Sequence, residues 1–320
     1  MRQRSGRPRV LCAVTTGFPT FLRLPAATLD NLPDTPVVVL GAAEATPYDP
    51  AKRSHSADAP GSIRAASQQF AGQVSQHDFD LEATLLAKGD DPVNIGVDVG
   101  DVVTKVQDAD GNRHRIAAAV EQVLEAGALP VVLGGDDSVP IPVLAAYDRF
   151  GPVTVVQIDA HVDWGGTIQD EDNGYGSPMR RVAEMPWVTG MLQVGIRGLG
   201  SGEAWQHDDA RAFGDQIVTA REWHRRGAEA VLDERPAGER YVVSIDCDGI
   251  DPAAFPAVAM PTPGGLTYED CLDLLHGLAA RGTIVGLILA EYVPSRDDSH
   301  RQFAQIAARL VTVAIGLMRR

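Results

Sequence analysis

Cysteine is scarce in this chain, and the few cysteines present are not paired in sequence. Among 320 residues there are three, Cys12, Cys247 and Cys271. An odd and sparse count argues against a disulfide framework and favours a reducing compartment. We therefore expect a cytoplasmic protein.

Positive charge and long apolar runs are also in short supply. With 28 Lys and Arg against 43 Asp and Glu, the formal net charge is −15. Nucleic acids and anionic membranes both attract basic segments, so we expect neither as a partner. No apolar run reaches the ~20 residues of a membrane span. The apolar stretch after the basic N-terminus is broken by Thr15, Thr16 and Pro19, which argues against a signal peptide.

Short apolar runs recur along the chain, and each ends beside a glycine or a charged residue. They are Val37–Leu40, Val93–Val97, Val131–Leu133, Val153–Ile158, Leu192–Ile196, Tyr241–Ile245 and Val285–Leu289. Such runs are typical of strands buried on both faces of a parallel sheet. The gaps carry helical patterns, such as Arg115–Ala126 and Tyr268–Ala280. We predict an irregular arm over 1–34, a loop over 45–62 and a single three-layer α/β domain over 35–320.

Two acid-rich strings directly follow predicted strands. The first contains Asp159, His161 and Asp163 at alternate positions, and the second contains Asp246 and Asp248. On an extended segment, residues two apart face the same side, and parallel strands converge at their carboxyl ends. An oxygen-rich set with one imidazole suits Mn²⁺, and two adjacent ions can activate water for hydrolysis. The alternative is that these acids cap helices or turns.

A third string, GGDDS, covers residues 134–138 and follows another predicted strand. Its two glycines permit a close backbone approach. Asp136, Asp137 and Ser138 can cap a helix whose first turn contains Pro140. By itself the string is only a weak metal signal, so capping and metal binding both stay open for Asp137.

With these strings, the sequence resembles the ureohydrolase family of arginases, agmatinases and related amidinohydrolases, and it is most similar in pattern to the agmatinase-like members. The resemblance spans about residues 37–318 and rests on GVDVGDV, GGDDS, DAHVD, SIDCDGIDPAAFPA, PTPGGLTYED and EYVP. It implies an α/β/α sandwich around a mainly parallel sheet of about eight strands. It also implies two Mn²⁺ ions per chain, with Ni²⁺ or another divalent ion as the alternative, and a homo-oligomer, either a trimer or a hexamer.

The resemblance also implies roles for individual residues. It gives five metal ligands, with Asp159 and Asp246 bridging, Asp163 on the first ion, and His161 and Asp248 on the second. Asp163 would also orient a metal-bridging hydroxide. Glu291 is similar to the acid that binds the guanidinium group.

Two positions depart from the family pattern. The family motif is GGDHS, whose histidine binds the first metal, and here Asp137 stands in its place as a candidate sixth ligand. Tyr175 stands where the family has a histidine that shuttles protons. A tyrosine, with an ordinary pKa of about 10, is a poor proton shuttle near neutrality. Tyr175 is therefore a candidate active-site residue, which we expect to be a pocket wall rather than an acid.

The function implied by the resemblance is hydrolysis of a cationic guanidino compound to urea and an amine. The substrate would be agmatine-like or another substituted guanidine, because no loop matches those that recognise an amino-acid head group. One alternative is hydrolysis of a formimino or other amidine C–N bond. Another is a divergent subunit of low activity that supports an active paralogue in a hetero-oligomer.

The sequence also indicates roles for several residues outside these strings. We expect Trp164 and Met179 to line an apolar or planar pocket. Among the remaining histidines, His300 is the candidate for a replacement proton shuttle. The others, His55 included, are expected in loops or on helix surfaces.

Overall fold

A sheet of eight strands forms the centre of the computed structural model, which describes residues 19–49 and 51–320. The strands in this part of the chain are β1 Val37–Ala42, β2 His77–Asp78, β3 Ala83–Thr84, β4 Val97–Val102, β5 Leu129–Gly134, β6 Val153–Ile158, β7 Val188–Ile196, β8 Gln216–Thr219, β9 Arg240–Asp246 and β10 Thr283–Ala290. The order across the sheet is β4-β1-β5-β10-β9-β6-β7-β8, and each neighbouring pair is parallel. Strands β2 and β3 form a separate antiparallel pair.

Helices cover both faces of this sheet. They are α1 Ala59–Ser67, α2 Ala109–Glu125, α3 Pro140–Ala145, α4 Pro178–Ala183, α5 Ala204–Phe213, α6 Ala220–Leu232, α7 Tyr268–Arg281 and α8 Gln302–Met318. Residues of α1, α6, α7 and α8 share one hydrophobic core, and residues of α2 to α5 share the other. Along β1, Val37 and Val39 enter the first core while Val38 and Leu40 enter the second, as the two-residue period of a strand requires. The predicted three-layer α/β/α sandwich is therefore confirmed.

Six of the seven predicted strand runs lie inside observed strands. The run Val93–Val97 is wrong, because Pro92–Asn94 forms a 3-10 helix and β4 begins only at Val97. Asp91 accepts a hydrogen bond from the Val93 backbone N–H at 3.0 Å, which stabilises this turn. The edge strand β8 was not predicted, because its four residues carry only two buried side chains.

The first residues of three helices can be compared with the sequence-based predictions. Helix α2 begins six residues before the predicted Arg115, where Asp108 accepts from the Gly111 N–H. Helix α1 begins at Ala59, inside the predicted loop. Helix α3 begins at Pro140 as predicted, but no side chain caps it. The capping role predicted for the GGDDS side chains is wrong, since Asp136 instead accepts from the Ser138 N–H at 3.1 Å.

The described part of the predicted arm, residues 19–34, packs onto the domain. Phe21 is buried, and its backbone N–H donates to Asp98 at 2.7 Å. Asp98 is itself buried and forms an ion pair with buried Arg64 at 2.8 Å. A buried charge pair of this kind is costly to break from one side, so it ties the arm, α1 and β4 together. Residues 1–18 of the predicted arm lie outside the described part.

The two cysteines in the described residues, Cys247 and Cys271, are unpaired and buried, and burial raises the pKa of both thiols. Cys12 lies outside this part. Among the described residues, no helix has both the length and the apolar character required to cross a bilayer.

Asp215, between α5 and β8, is a buried acid without a hydrogen-bond partner among the described residues. Burial raises its pKa from 3.8 to about 8, and the charges of Arg211 and Arg235 oppose this shift only in part. The pKa in the folded state thus exceeds that in the unfolded state. The folded protein binds the extra proton between about pH 4 and 8, so its stability falls as the pH rises through this interval.

We predict that Asp215→Asn stabilises the protein at pH 9, by roughly 1–3 kcal/mol, and much less at pH 5.5, because it removes the buried charge. Urea denaturation of both proteins at both pH values measures the difference. Asp273→Asn, at an exposed position of α7, is the matched control. An equal gain from Asp215→Asn at the two pH values would contradict the raised pKa.

Candidate metal centre

The acid-rich strings meet because they follow four neighbouring strands. In the sheet order, β5, β10, β9 and β6 lie side by side. Asp137 follows β5, Glu291 follows β10, Asp246 ends β9, and Asp159 follows β6. All four strands are parallel, so these side chains leave the sheet at the same edge.

Two groups of ligand atoms lie at this edge. The first comprises Asp137, Asp159 and Asp246, and the second comprises Asp159, His161 and Asp248. Within each group the candidate ligand atoms lie within 4.8 Å of one another. Asp159 belongs to both groups. This arrangement can hold two cations side by side with one shared carboxylate.

The predicted extended geometry of DAHVD is only partly correct. Strand β6 ends at Ile158, and the Asp159 carboxylate accepts from the His161 backbone N–H at 2.6 Å in a tight turn. The His161 imidazole lies 3.2 Å from Asp248. Asp163 has a φ of 47°, in the left-handed region that is unfavourable for residues other than glycine. Asp163 belongs to neither group of ligand atoms, although its carboxylate lies beside the first.

The second string also turns instead of staying extended. Asp246 ends β9, and Cys247–Gly249 forms a 3-10 turn. Asp246 accepts from the Asp248 N–H at 2.7 Å, and Asp248 accepts from the Ala160 N–H at 3.1 Å. Backbone donors thus fix both carboxylates while leaving other oxygens free to face the centre.

Gln157, which sequence reasoning missed, lies beneath the acids. Its buried amide nitrogen donates to Asp159 at 2.6 Å and to Asp163 at 3.2 Å, and it lies 3.5 Å from Asp137. The side-chain amide of Gln193 donates to the side-chain amide oxygen of Gln157 and to the backbone carbonyl of Val162. These two bonds fix the orientation of the Gln157 amide. The sequence contained the period-two signal for this residue, since Gln157 precedes Asp159 by two positions.

The carboxylates oppose one another electrostatically. Burial is the largest cause of the raised pKa values of Asp137, Asp159 and Asp246, and repulsion by neighbouring acids raises them further. The pKa of Asp163 is raised by burial, while a hydrogen bond with Asp159 and the charge of His161 oppose the shift. For His161, burial lowers the pKa, but the hydrogen bond and charge of Asp248 outweigh it and raise the pKa overall.

These residues fit divalent cations. One oxygen of the buried Asp137 carboxylate has no hydrogen-bond partner among the described residues, and a buried polar atom of this kind requires a partner. The donors are carboxylate oxygens with one imidazole, a set that suits Mn²⁺ or a similar divalent ion. Positive charge at this point would also offset the repulsion that raises the pKa values.

Glu291 lies next to the ligand groups, at the end of β10. Its φ is 61°, so Asp163 and Glu291 both have strained backbones at this edge. One Glu291 oxygen accepts from the Asp137 backbone N–H at 3.0 Å, and the other lies 2.5 Å from the Nε2 of His55. Burial raises the pKa of Glu291, and the hydrogen bond with His55 opposes this shift.

His55 was expected in a loop, and the structure places that loop at the site. Its ring lies at 82° to the ring of Tyr175, with centroids 5.7 Å apart. Tyr175 also contacts Tyr48, with centroids 4.2 Å apart. Nothing in the local sequence around His55 signalled this placement, because the partner Glu291 is 236 residues away.

Glycine in the GGDDS string explains how this loop reaches the site. A Cβ at Gly135 would collide with the carbonyl group of Ala43, just after β1. The Gly135 N–H donates to Ala42 at 2.7 Å, and its carbonyl accepts from the Glu291 N–H at 2.8 Å. Gly135 therefore brings the loop that carries His55 against the turn that carries Glu291.

Three other predicted residues do not line the site as expected. Trp164 and Met179 are both buried in the hydrophobic core with α2 to α5, so their predicted role as pocket walls is wrong. The Trp164 indole N–H donates to Asp209 at 2.8 Å. His300 is exposed in the turn before α8, where its backbone N–H donates to Asp298 at 2.9 Å.

A parallel α/β/α sandwich with an acid-rich centre beyond its middle strands defines the arginase-like class of folds. The chain belongs to the arginase family, whose model, described as "Arginase family", matches residues 36–316.

Three known proteins illustrate the similarity. The chain is 33% identical over 249 residues to N(1)-aminopropylagmatine ureohydrolase of Thermus thermophilus, covering 74% of this chain and 79% of the relative. It is 33% identical over 225 residues to mitochondrial arginase 1 of Arabidopsis thaliana, covering 67% and 64%. The solved structure of proclavaminate amidino hydrolase from Streptomyces clavuligerus matches with a TM-score of 0.78 and 25% identity, covering 95% of this chain and 98% of that one.

We predict that Gln157→Glu destabilises the metal-free protein by at least ~2 kcal/mol relative to Gln157→Met at pH 8, because it adds a carboxylate against Asp137, Asp159 and Asp163. Chemical unfolding in the presence of EDTA measures both variants. Gln157→Met is the neutral control of similar size. Added Mn²⁺ should narrow the gap. Equal stability of the two variants in EDTA would show that repulsion among the acids is unimportant.

Proposed function

We propose that this chain is a binuclear-metal hydrolase that cleaves a cationic guanidino compound to urea and an amine. The observation that carries the proposal is the placement of buried Glu291 directly beside two groups of ligand atoms that share Asp159. Membership of the arginase family supports it. The names of its relatives, a ureohydrolase of N(1)-aminopropylagmatine and an amidino hydrolase, are consistent with a substrate that carries an amidino group.

Six side chains would hold the two metal ions. Asp137, Asp159 and Asp246, with Asp163 beside them, would hold one ion, and Asp159, His161 and Asp248 would hold the other. The family resemblance adds Asp246 as a second ligand that the two ions would share. When bound, the two ions would activate water as a nucleophile near neutral pH. Mn²⁺ is the ion that we propose, and Ni²⁺ is the alternative.

The residues around the ions would bind and orient the substrate. Each oxygen of Glu291 keeps a lone pair beyond its bonds to Asp137 and His55. These lone pairs can accept N–H groups of a guanidinium cation in a buried setting, where a charge-assisted pair is strong. Asp163 would orient the attacking water, and Gln157 would hold Asp163 and Asp159 at a fixed separation.

The cation would enter a strongly acidic region. The chain carries a formal net charge of −15, and a site rich in carboxylates attracts cations over a distance. We therefore propose an agmatine-like or other substituted guanidine as the substrate. Tyr48 and Tyr175, which contact one another beside His55, would form one wall of the entrance. Cytoplasmic location and homo-oligomeric assembly stay predictions.

We predict that the ligand variants lose metal in different numbers. Asp159→Asn should bind close to no ion, because both groups contain Asp159, whereas Asp248→Asn should retain about one. Urea release should fall more than ~100-fold in both, since even indirect changes around metal ligands cost 10–100-fold. Elemental analysis after dialysis measures the ions, with Asp273→Asn as the control that retains two. Equal metal content in all three variants would refute the assignment.

We predict that the Mn²⁺-loaded protein releases urea from alkylguanidines, tested with agmatine, 4-guanidinobutyrate and methylguanidine. Glu291→Gln should keep its metal but lose at least ~100-fold in kcat/KM, because the buried counter-charge of the guanidinium is removed. Glu269→Gln, in the first turn of α7, is the control. If the wild-type protein with both metal ions released no urea from any of these guanidines, the result would contradict the proposed function and favour the divergent-subunit alternative.

A further inference from the structure

The departing amine requires a proton, and Tyr175 is poorly suited to donate it. Burial is the largest cause of a raised pKa for the Tyr175 phenol, and nearby Tyr48, Glu291 and Asp136 raise it further. A phenol with a pKa above 10 is poorly matched to proton transfer near neutrality. The residue at this position therefore leaves the role of acid to another group.

His55 is the group that the fold brings to this position. Its imidazole Nε2 lies 2.5 Å from Glu291, and its side chain is 32% exposed against 8% for Glu291. His55 is thus the more exposed partner of the pair, nearer to the solvent towards which the substituent of a guanidinium bound to Glu291 would extend. Its ring also contacts Tyr175 edge-on.

Two hydrogen bonds hold the part of the loop that precedes His55. The Ser54 N–H donates to buried Glu44 at 2.7 Å, directly before His55. Further back in the loop, the Thr46 N–H donates to Ser138 at 2.7 Å. Ser138 belongs to the GGDDS string, so the loop and the candidate metal centre share a support. A group held in this way has the fixed geometry that proton transfer requires.

We propose that His55 donates a proton to the leaving amine, and this inference rests on the proposed function. After water adds to the guanidinium carbon, the bond from carbon to the substituted nitrogen breaks and the electron pair stays on nitrogen. That nitrogen takes one proton from the added hydroxyl group and one from the His55 imidazolium, which gives urea and an ammonium ion. His55 recovers the proton that the next attacking water releases.

The environment of His55 keeps a proton available. Burial alone lowers the pKa of the imidazole, but the hydrogen bond and charge of Glu291, with a smaller contribution from Asp136, raise it overall. Arg296 opposes this increase. The imidazole can therefore be protonated near neutral pH, as a general acid requires.

Substrates with different leaving amines test the proposal. The measurement is kcat for wild type, His55→Ala and His55→Gln on the guanidines that wild type accepts, from alkylguanidines to 4-nitrophenylguanidine. Alkylamines need the proton and 4-nitroaniline does not. We expect His55→Ala to lose about 10²–10³-fold with alkylguanidines, a loss that shrinks as the leaving amine becomes less basic. Added imidazole should restore part of the rate.

His55→Gln separates proton donation from positioning, since its amide can still donate to Glu291 while transferring no proton. We expect it to be as slow as His55→Ala. Full activity of His55→Gln, or an equal loss with every leaving amine, would overturn proton donation. His300→Gln is the control, and metal content and melting temperature of all variants should match wild type. If the wild-type protein released no urea from any guanidine, both the proposed function and this inference would be overturned. If wild type were active and His55→Ala had the same kcat, only the inference would be overturned.

Discussion

Mutual repulsion among buried carboxylates is the constraint on which the rest of this site depends. Four neighbouring parallel strands deliver acids to one edge of the sheet, and burial denies these acids the solvation that would screen their charges. The raised pKa values of Asp137, Asp159 and Asp246 express this conflict. Divalent cations would resolve it, which is why the arrangement indicates a metal centre rather than a structural cluster.

Several features that look unrelated serve the same arrangement. The left-handed backbones of Asp163 and Glu291 store strain at the strand ends, where the packed sheet beneath can hold it. Gln157 supplies a neutral donor to Asp159 and Asp163, and Gln193 fixes its orientation. The absence of a side chain at Gly135 lets three loops approach one another. Each of these features keeps the carboxylate oxygens close together against their mutual repulsion.

The residues of the site lie at different depths below the surface, and their proposed roles differ accordingly. The ligand groups lie deepest, Glu291 lies beside them, and His55 with Tyr175 lies towards solvent. An acidic interior with an imidazole and aromatic rings nearer to solvent suits a cation whose reactive end enters first. In this account, Tyr175 stands where the family has a histidine, and proton donation passes to His55 on another loop.

Sequence reasoning predicted what depends on local pattern. Continuous apolar runs indicate buried strands, and the residues that follow neighbouring parallel strands lie at the same edge of the sheet. The sequence therefore indicated that DAHVD and SIDCD lie at one site. Their geometry was not, because Asp159 and Asp246 accept bonds from their own backbones two residues on and turn the chain. Trp164 was misplaced because adjacency to Asp163 in sequence says nothing about which face its side chain enters.

Two further features were not predicted, one with a long-range cause and one with a local cause. His55 reaches Glu291 because the loop after β1 packs against Gly135. The glycines of GGDDS indicated a close backbone approach, but nothing in the sequence indicated which loop would make it. The Val93 run resembled a strand because it is apolar, but turn chemistry at Asp91 and Pro92 overrides that character. The contact of His55 becomes visible only when the tertiary packing is known, whereas the turn at Asp91 and Pro92 is a local signal.

The central claim is that these crowded acids hold a pair of cations. Anomalous diffraction from crystals of the Mn²⁺-loaded protein tests it most directly. The account predicts two anomalous peaks per chain, roughly 3.5–4 Å apart, with Asp159 in contact with both. A single peak at full occupancy, or peaks remote from Asp159, would contradict it.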